Sequence, residues 1–405
     1  MIEINAPGKL FVAGEYAVVE PGHPSILVAV DRCVTVRLEA SEHEGRIFSD
    51  QYGRAPIIWR RNRNGVVVEH EERPLDHVLS AVSTMETLVA ELGVAQRFSA
   101  LSITSELDDA SGRKFGLGSS AAVTTATIRA LDEFYQLDLT RTQMLKLAIL
   151  ATIDVAPAAS GGDLAASMFG GWLRYTSPDR ARLREVRHRE GVLAALRDPW
   201  AELGLERLSP PTSLRLLVGW TGEPASTTRL VDELQSRKWA ETAHYTSFLA
   251  ASRAAVDALT IGLNDEDPAL VLGAVRSARA TLAGLGRDAG VDIETAALAQ
   301  LCDAAERLGG AAKSSGAGGG DCGIAFIGQS VSTAALEDDW SAHGIERLPL
   351  TVHPPTGLID AAHSPWGPSE ISRTDDDAVE SIRSTYARAF AEQHDVLRGG
   401  TEHHA

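Results

Sequence analysis

The stretch Lys114-Phe-Gly-Leu-Gly-Ser-Ser-Ala-Ala122 constrains this chain more than any other, because a short glycine-rich loop there runs straight into a helical pattern. Such a junction leaves the first backbone N–H groups of the helix without intrahelical partners and turns them toward an incoming anion. Gly116 and Gly118 remove the Cβ atoms that would hold a polyphosphate away from the backbone, so the loop reads as a phosphate cradle. Ser119 or Ser120 can cap the helix and can offer a hydroxyl to phosphate or to a magnesium ion. Downstream, Val123, Ala126, Ala130 or Leu131, and Phe134 recur at helical spacing and give the helix an apolar stripe to seat on a core.

Two common nucleotide signatures fit less well. Gly116-Leu-Gly-Ser-Ser-Ala121 satisfies the dinucleotide pattern G-x-G-x-x-A, with Asp132 near the distance at which a ribose-binding carboxylate is expected. A Rossmann turn follows a continuous buried strand, however, whereas the residues from Glu106 to Lys114 are polar and turn-like. The Walker pattern G-x-x-x-x-G-K-[ST] does not occur in the sequence, so a nucleotide loop here belongs to another class.

Two further stretches narrow the class. Ala6-Pro-Gly-Lys-Leu-Phe-Val-Ala-Gly-Glu-Tyr-Ala-Val18 places Lys9 directly after a Pro-Gly turn, and Lys313-Ser-Ser-Gly-Ala-Gly-Gly-Gly-Asp-Cys-Gly-Ile-Ala-Phe326 is a second glycine loop running into a strand. Each alone is compatible with an ordinary tight turn. In this order, the three resemble the GHMP kinases: Pro7 to Glu15 matches the family's first motif, Gly116 to Ala122 its ATP-phosphate loop, and Ser315 to Cys322 its third motif. The resemblance implies an α+β fold of two domains, a ribosomal-S5-like N-terminal domain and a ferredoxin-like C-terminal domain, with nucleotide and acceptor bound in the cleft between them. The expected division is residues 1–185 and 186–405, with the arginine-rich segment from Arg180 to Arg197 as the crossing.

Within the family, four features are similar to its phosphomevalonate kinases: Gly14-Glu-Tyr-Ala-Val18, Lys114 just ahead of the loop, Ser160-Gly-Gly-Asp163 with Phe169-Gly-Gly-Trp172, and Gly219-Trp-Thr-Gly-Glu-Pro-Ala-Ser226. That branch implies ATP-dependent phosphorylation of (R)-5-phosphomevalonate in the mevalonate route to isoprenoids. The alternatives are a mevalonate kinase or another small-molecule kinase of the family, and a non-catalytic ATP-binding relative. The resemblance makes Lys9 and Asp163 catalytic and gives Gly116, Leu117, Gly118, Ser119, Ser120 and Ala121 to the nucleotide. It gives Lys9, Lys114, Ser160, Gly161, Ser226, Ser315, Gly316 and Gly318 to the acceptor, and Ser120 (or Ser119) to Mg²⁺. Taken alone, Asp163 is equally a helix cap and Ser226 or Thr227 an N-cap. As a catalytic group, Asp163 either takes a proton from the acceptor hydroxyl or orients it together with Lys9. Two phosphorylated ligands call for further cations, and Arg32, Arg174 and Arg229 are secondary candidates that read first as solvated surface charges.

A formal net charge of −17, from 38 Lys+Arg against 55 Asp+Glu, argues against a nucleic-acid partner, which calls for a basic surface. The expected partners are ATP and phosphomevalonate, with no membrane and a monomer or homodimer as the working unit. Cys33, Cys302 and Cys322 lack C-x-x-C spacing, and the first residues lack the basic and apolar runs of a signal peptide, so a reducing cytoplasm is expected. Periodicity predicts strands at 26–30 and 35–38, a hairpin of 57–59 with 66–68, a helix from Leu75 to Leu92, and a strand at 214–220. Helices follow at 226–240, 244–260, 268–285 and 293–308, then a strand at 323–327 and a tail helix over 379–393. His403 and His404 at the chain end lack companions for a metal site.

Overall fold

A computed structural model describes residues 1–49, 55–62, 65–68, 77–109, 112–223, 243–360 and 384. The expected helix at 226–240 and, apart from Ser384, that at 379–393, together with Ser226, Arg229, His403 and His404, lie outside the described residues. The first sheet opens with β1 (Ile2–Ala13), β2 (Pro24–Ser41), β3 (Gly45–Ser49), β4 (Ile57–Asn62) and β5 (Gly65–Val68). After α1 (His77–Glu91) come β6 (Phe98–Ser105), α2 (Ser119–Tyr135), α3 (Arg141–Thr152), α4 (Gly162–Phe169) and β7 (Trp172–Thr176). Then follow α5 (Arg180–Glu190), α6 (Val192–Arg197), β8 (Gly204–Leu208) and β9 (Leu214–Trp220). The chain continues through α7 (Ala243–Asn264), α8 (Pro268–Ala289), α9 (Ala296–Arg307), β10 (Ala311–Ser314), β11 (Cys322–Gly328), α10 (Ala334–Ala342) and β12 (Glu346–Leu348).

The first sheet runs β5-β4-β3-β6-β2-β7-β8, with β1 added against β2, and the second runs β10-β11-β9-β12. Strand β2 organises the first sheet. The two strands expected at 26–30 and 35–38 are one strand of 18 residues, because the chain passes Asp31 with a register shift and no turn. Its first half, Ile26 to Val30, is apolar on successive residues and is buried on both faces. Its second half alternates, with Val34, Val36 and Leu38 inward. The α2 stripe expected from sequence is inward too: Ala126, Ala130 and Leu131 are fully buried, and the helix lies on β1 and β2.

The expected boundary at residue 185 falls inside α5. The arginine-rich segment forms α5 and α6, which lie against α1 and α3; Leu183, Val186, Val192, Ala195 and Leu196 are buried, and the following β8 pairs antiparallel with β7. The chain leaves the first sheet only after Leu208. It also returns to it: Val352 bridges Val30, His353 N–H donates to Ala29 O at 2.9 Å, and the Thr351 hydroxyl donates to Asp31 at 2.7 Å. Arg174 is not a solvated charge. It is 4% exposed and pairs with Asp257 of α7 at 2.8 Å, tying the helix of the second half to the first sheet. The other periodic elements form with boundaries within a few residues of those expected, α7 and α8 extending further at their C-termini.

All three cysteines are free thiols, Cys302 and Cys322 buried and Cys33 half-buried. Burial pushes the thiols of Cys302 and Cys322 far up. Burial, with Glu106 and Asp31 nearby, also raises that of Cys33. Since the thiolate is the reactive form, a chromogenic disulfide reagent at neutral pH is expected to titrate at most one of the 3 thiols in the native protein and all of them after denaturation. Rapid reaction of two or more native thiols would contradict this packing.

Candidate active site

Two helices start at one cavity, and both start without a side-chain cap. The N-cap of α2 is Gly118, in the left-handed region at φ 80°, and that of α4 is Gly161 at φ 88°. A left-handed residue at this position is cheap only for glycine. The expected capping roles of Ser119, Ser120 and Asp163 are therefore absent: the N-caps are Gly118 and Gly161, which have no side chain to cap with. The consequence is chemical. The Ser119 and Ser120 hydroxyls and the Asp163 carboxylate stay available to the cavity, and the first-turn amides of α2 stay open to an anion, whereas in α4 the Gly162 N–H is taken by the Ser160 hydroxyl.

Lys9 lies between these helix starts. Strand β1 is bulged at Pro7/Gly8, and Lys9 N–H donates to Leu117 O at 2.9 Å, which fastens the phosphate loop to the edge of the sheet. The Lys9 ammonium donates to Gly116 O at 3.4 Å and stands 3.5 Å from Asp163 Oδ2. Its side chain is 7% exposed and that of Asp163 is 35% exposed, so the pair faces the cavity from the Asp163 side. An added Cβ on Gly118 would fall 2.8 Å from Lys9 Cε.

The cavity measures about 390 Å³ and is lined by Lys9, Lys114, Gly116 to Ala121, Ser160, Gly161, Asp163 and Gly316. Lys114 is exposed at its rim. Ser160 is buried; its hydroxyl accepts from Gly162 N–H at 3.2 Å, and its carbonyl accepts from the Tyr175 hydroxyl at 2.7 Å. Burial raises the Tyr175 hydroxyl well above its ordinary range, which keeps it a donor to that carbonyl. Ser315 does not line the cavity. Its hydroxyl donates to Phe11 O at 3.0 Å inside the protein, while Gly318 turns against the backbone of Ile293. Arg32 stacks over Phe115 with 4.6 Å from guanidinium carbon to ring centroid, just behind the phosphate loop.

A phosphate chain fits the open first-turn amides of α2 and the Ser119 and Ser120 hydroxyls on the cavity wall, while the space a Cβ would take at Gly116 is held by Asp321 and that at Gly118 by Lys9. Among the described residues, no cluster of three or more His, Cys, Asp or Glu could hold a metal ion by itself. The donors on the cavity wall, the Ser120 hydroxyl and the Asp163 carboxylate, suit a hard cation that takes most of its ligands from phosphate and water.

Among the residues missed at the level of sequence are Glu15 and Asp321 on the cavity wall and, behind Glu15, the buried Lys313. The Lys313 ammonium, with no exposed surface, pairs with Glu15 Oε1, and Gly316 N–H donates to the same oxygen at 3.4 Å. Asp321 lies against Gly116, where an added Cβ would fall 2.6 Å from its carboxyl group. Both Glu15 and Lys313 stand inside recognised motifs, but nothing local signals a pairing across 298 residues.

The family description "GHMP kinases N terminal domain" matches residues 77–171, and "GHMP kinases C terminal" matches residues 268–346. The phosphomevalonate kinase of Streptomyces sp. (strain CL190) is 44% identical over 359 residues, covering 86% of this chain and 96% of that protein. Among solved structures, the Lin0012 protein from Listeria innocua aligns with a TM-score of 0.81 and 35% identity, covering 88% of this chain and 99% of its own. The Streptococcus pneumoniae phosphomevalonate kinase in complex with phosphomevalonate and AMPPNP aligns with a TM-score of 0.76 and 29% identity over 87% of this chain and 100% of its own. With its three glycine motifs gathered on one cavity and near-complete coverage of these relatives, the chain belongs to the GHMP kinases.

Proposed function

We infer that this chain transfers the γ-phosphoryl group of ATP to the phosphate of (R)-5-phosphomevalonate, giving the 5-diphosphate and ADP. The observation that carries the reading is Lys9, held between Gly116 O and Asp163 where two uncapped helix N-termini meet. The 44% identity to a phosphomevalonate kinase along most of the chain supports the choice of acceptor. Gly116 to Ala121 would hold the nucleotide phosphates; Lys114, Ser160, Gly161 and Gly316 would face the acceptor. We place the nucleotide-binding unit at residues 1–208 and the second unit after it, following the sheet membership of β8. The reading implies a cytoplasmic enzyme.

The acceptor changes what Asp163 has to do. A phosphate monoester with a second pKa of about 6 is a dianion at neutral pH, so its attacking oxygen carries no proton to remove. General-base catalysis, one of the two roles expected for Asp163, has no work in this reaction. Asp163 instead fixes the Lys9 ammonium at 3.5 Å, and Lys9 neutralises charge as the phosphoryl group passes between two anions. Ser120, with Asp163 nearby on the same wall, would hold a magnesium ion on the ATP phosphates, and that ion supplies further charge neutralisation.

ADP release with (R)-5-phosphomevalonate and mevalonate side by side tests the substrate; turnover confined to phosphomevalonate is expected, and turnover on mevalonate instead would overturn the reading. Asp163→Asn is expected to lower kcat on the order of 100-fold through misplacement of Lys9. The pH profile separates the two roles. If the dianion is the reactive form, kcat/KM is full above about pH 6 and falls tenfold per unit below it, and this acid limb survives in Asp163→Asn. Loss of the limb in that variant would restore the general base. Gly118→Ala, which needs a left-handed alanine costing about 1–2 kcal/mol and crowds Lys9, is expected to raise the KM for ATP by roughly 5–30-fold, measured by the same assay.

A further inference from the structure

The first and third glycine motifs are joined by a buried latch. The ammonium of Lys313 has no exposed surface and Glu15 is 3% exposed, and the two form an ion pair. Around them, the Ser315 hydroxyl donates to Phe11 O at 3.0 Å, Gly316 N–H to Glu15 at 3.4 Å, and the Tyr16 hydroxyl to Ala317 O at 2.5 Å. Among the described residues, Glu15 Oε2 is enclosed and meets no hydrogen-bond donor, so the carboxylate is held through its other oxygen alone. Isolated burial of two charges is costly, and such a pair is weak as a stabilising device. Its placement is more specific: it fixes the start of the third loop, Gly316 and Ala317, both on the cavity wall. The other end of that loop, Asp321, already rests on Gly116 of the nucleotide loop.

We propose that Lys313 and Glu15 are positioning residues for the acceptor: Lys313 orients Glu15, and Glu15 sets Gly316 and Ala317 as the wall against which the acceptor is held. The inference rests on the proposed reaction. Acceptor affinity therefore depends on the pair, whereas ATP affinity, set at the Asp321 end and by the α2 N-terminus, does not.

Either single neutral variant leaves an uncompensated buried charge and is expected to lower the melting temperature, which by itself distinguishes nothing. The decisive protein is the double variant Glu15→Gln with Lys313→Met, in which both charges are gone and the fold is expected to melt close to wild type. In it, the KM for (R)-5-phosphomevalonate should rise at least tenfold while the KM for ATP stays within about twofold. Lys313→Arg, which keeps the charge, should restore most of the acceptor KM relative to Lys313→Met. A double variant with wild-type stability and wild-type acceptor KM would overturn the inference, as would a parallel rise in both KM values. Absence of turnover by the wild type would instead overturn the proposed reaction and the inference with it.

Discussion

Two left-handed glycines, Gly118 and Gly161, decide what the cleft can bind. Each lets the chain enter a helix with no side chain at the N-cap itself, so the starts of α2 and α4 face the same space, with the Gly162 amide of α4 already bonded to the Ser160 hydroxyl. Each helix start carries the equivalent of about half a positive charge. Lys9 is where it is because the strand beneath it is bonded to Leu117, the residue between the two glycines of the loop. Replace the glycines with capped helix starts and the site loses its backbone donors and the room for Lys9 at once.

This arrangement resolves an apparent conflict in the charge of the chain. On the proposed reaction, a protein with a formal net charge of −17 would gather two phosphorylated ligands in a cavity whose walls carry three carboxylates, Glu15, Asp163 and Asp321, against Lys9 and Lys114. Lysines alone do not make that cavity attractive to polyphosphate. Main-chain dipoles do, and Lys313 draws the charge of Glu15 inward, away from the ligands. The acidic surface then serves solubility without repelling the substrates from the site.

The elements with a regular apolar pattern were legible from sequence: α2 by its stripe, β9 by the apolar run that follows Arg215, α8 and α9 by their spacing. So were the three glycine loops, since a run of residues without side chains has few structural uses. Features that depend on partners far along the chain were not legible. Strand β2 looked like two strands because Asp31 and Arg32 interrupt its pattern, yet both residues point to places no local rule names: Asp31 to Thr351 and Arg32 to Phe115. Arg174 looked like a surface charge because its two acidic neighbours, Glu206 and Asp257, are supplied by other elements. The arginine-rich helix α5 looked like a linker because its polar face dominates its composition, while its packing is carried by Leu183, Val186 and the buried Arg180. The sharpest case is Glu15, conspicuous in its motif and silent about its partner.

The 298 residues between Glu15 and Lys313 also have a meaning in time. A ribosome adding 5–20 residues per second needs roughly 15–60 s to travel from one to the other. Through that interval, the first sheet can assemble around β2 with its carboxylate in place and the cation that answers it not yet made. The nascent chain thus carries a nucleotide loop without a finished acceptor wall until the third motif has been synthesised and has folded back.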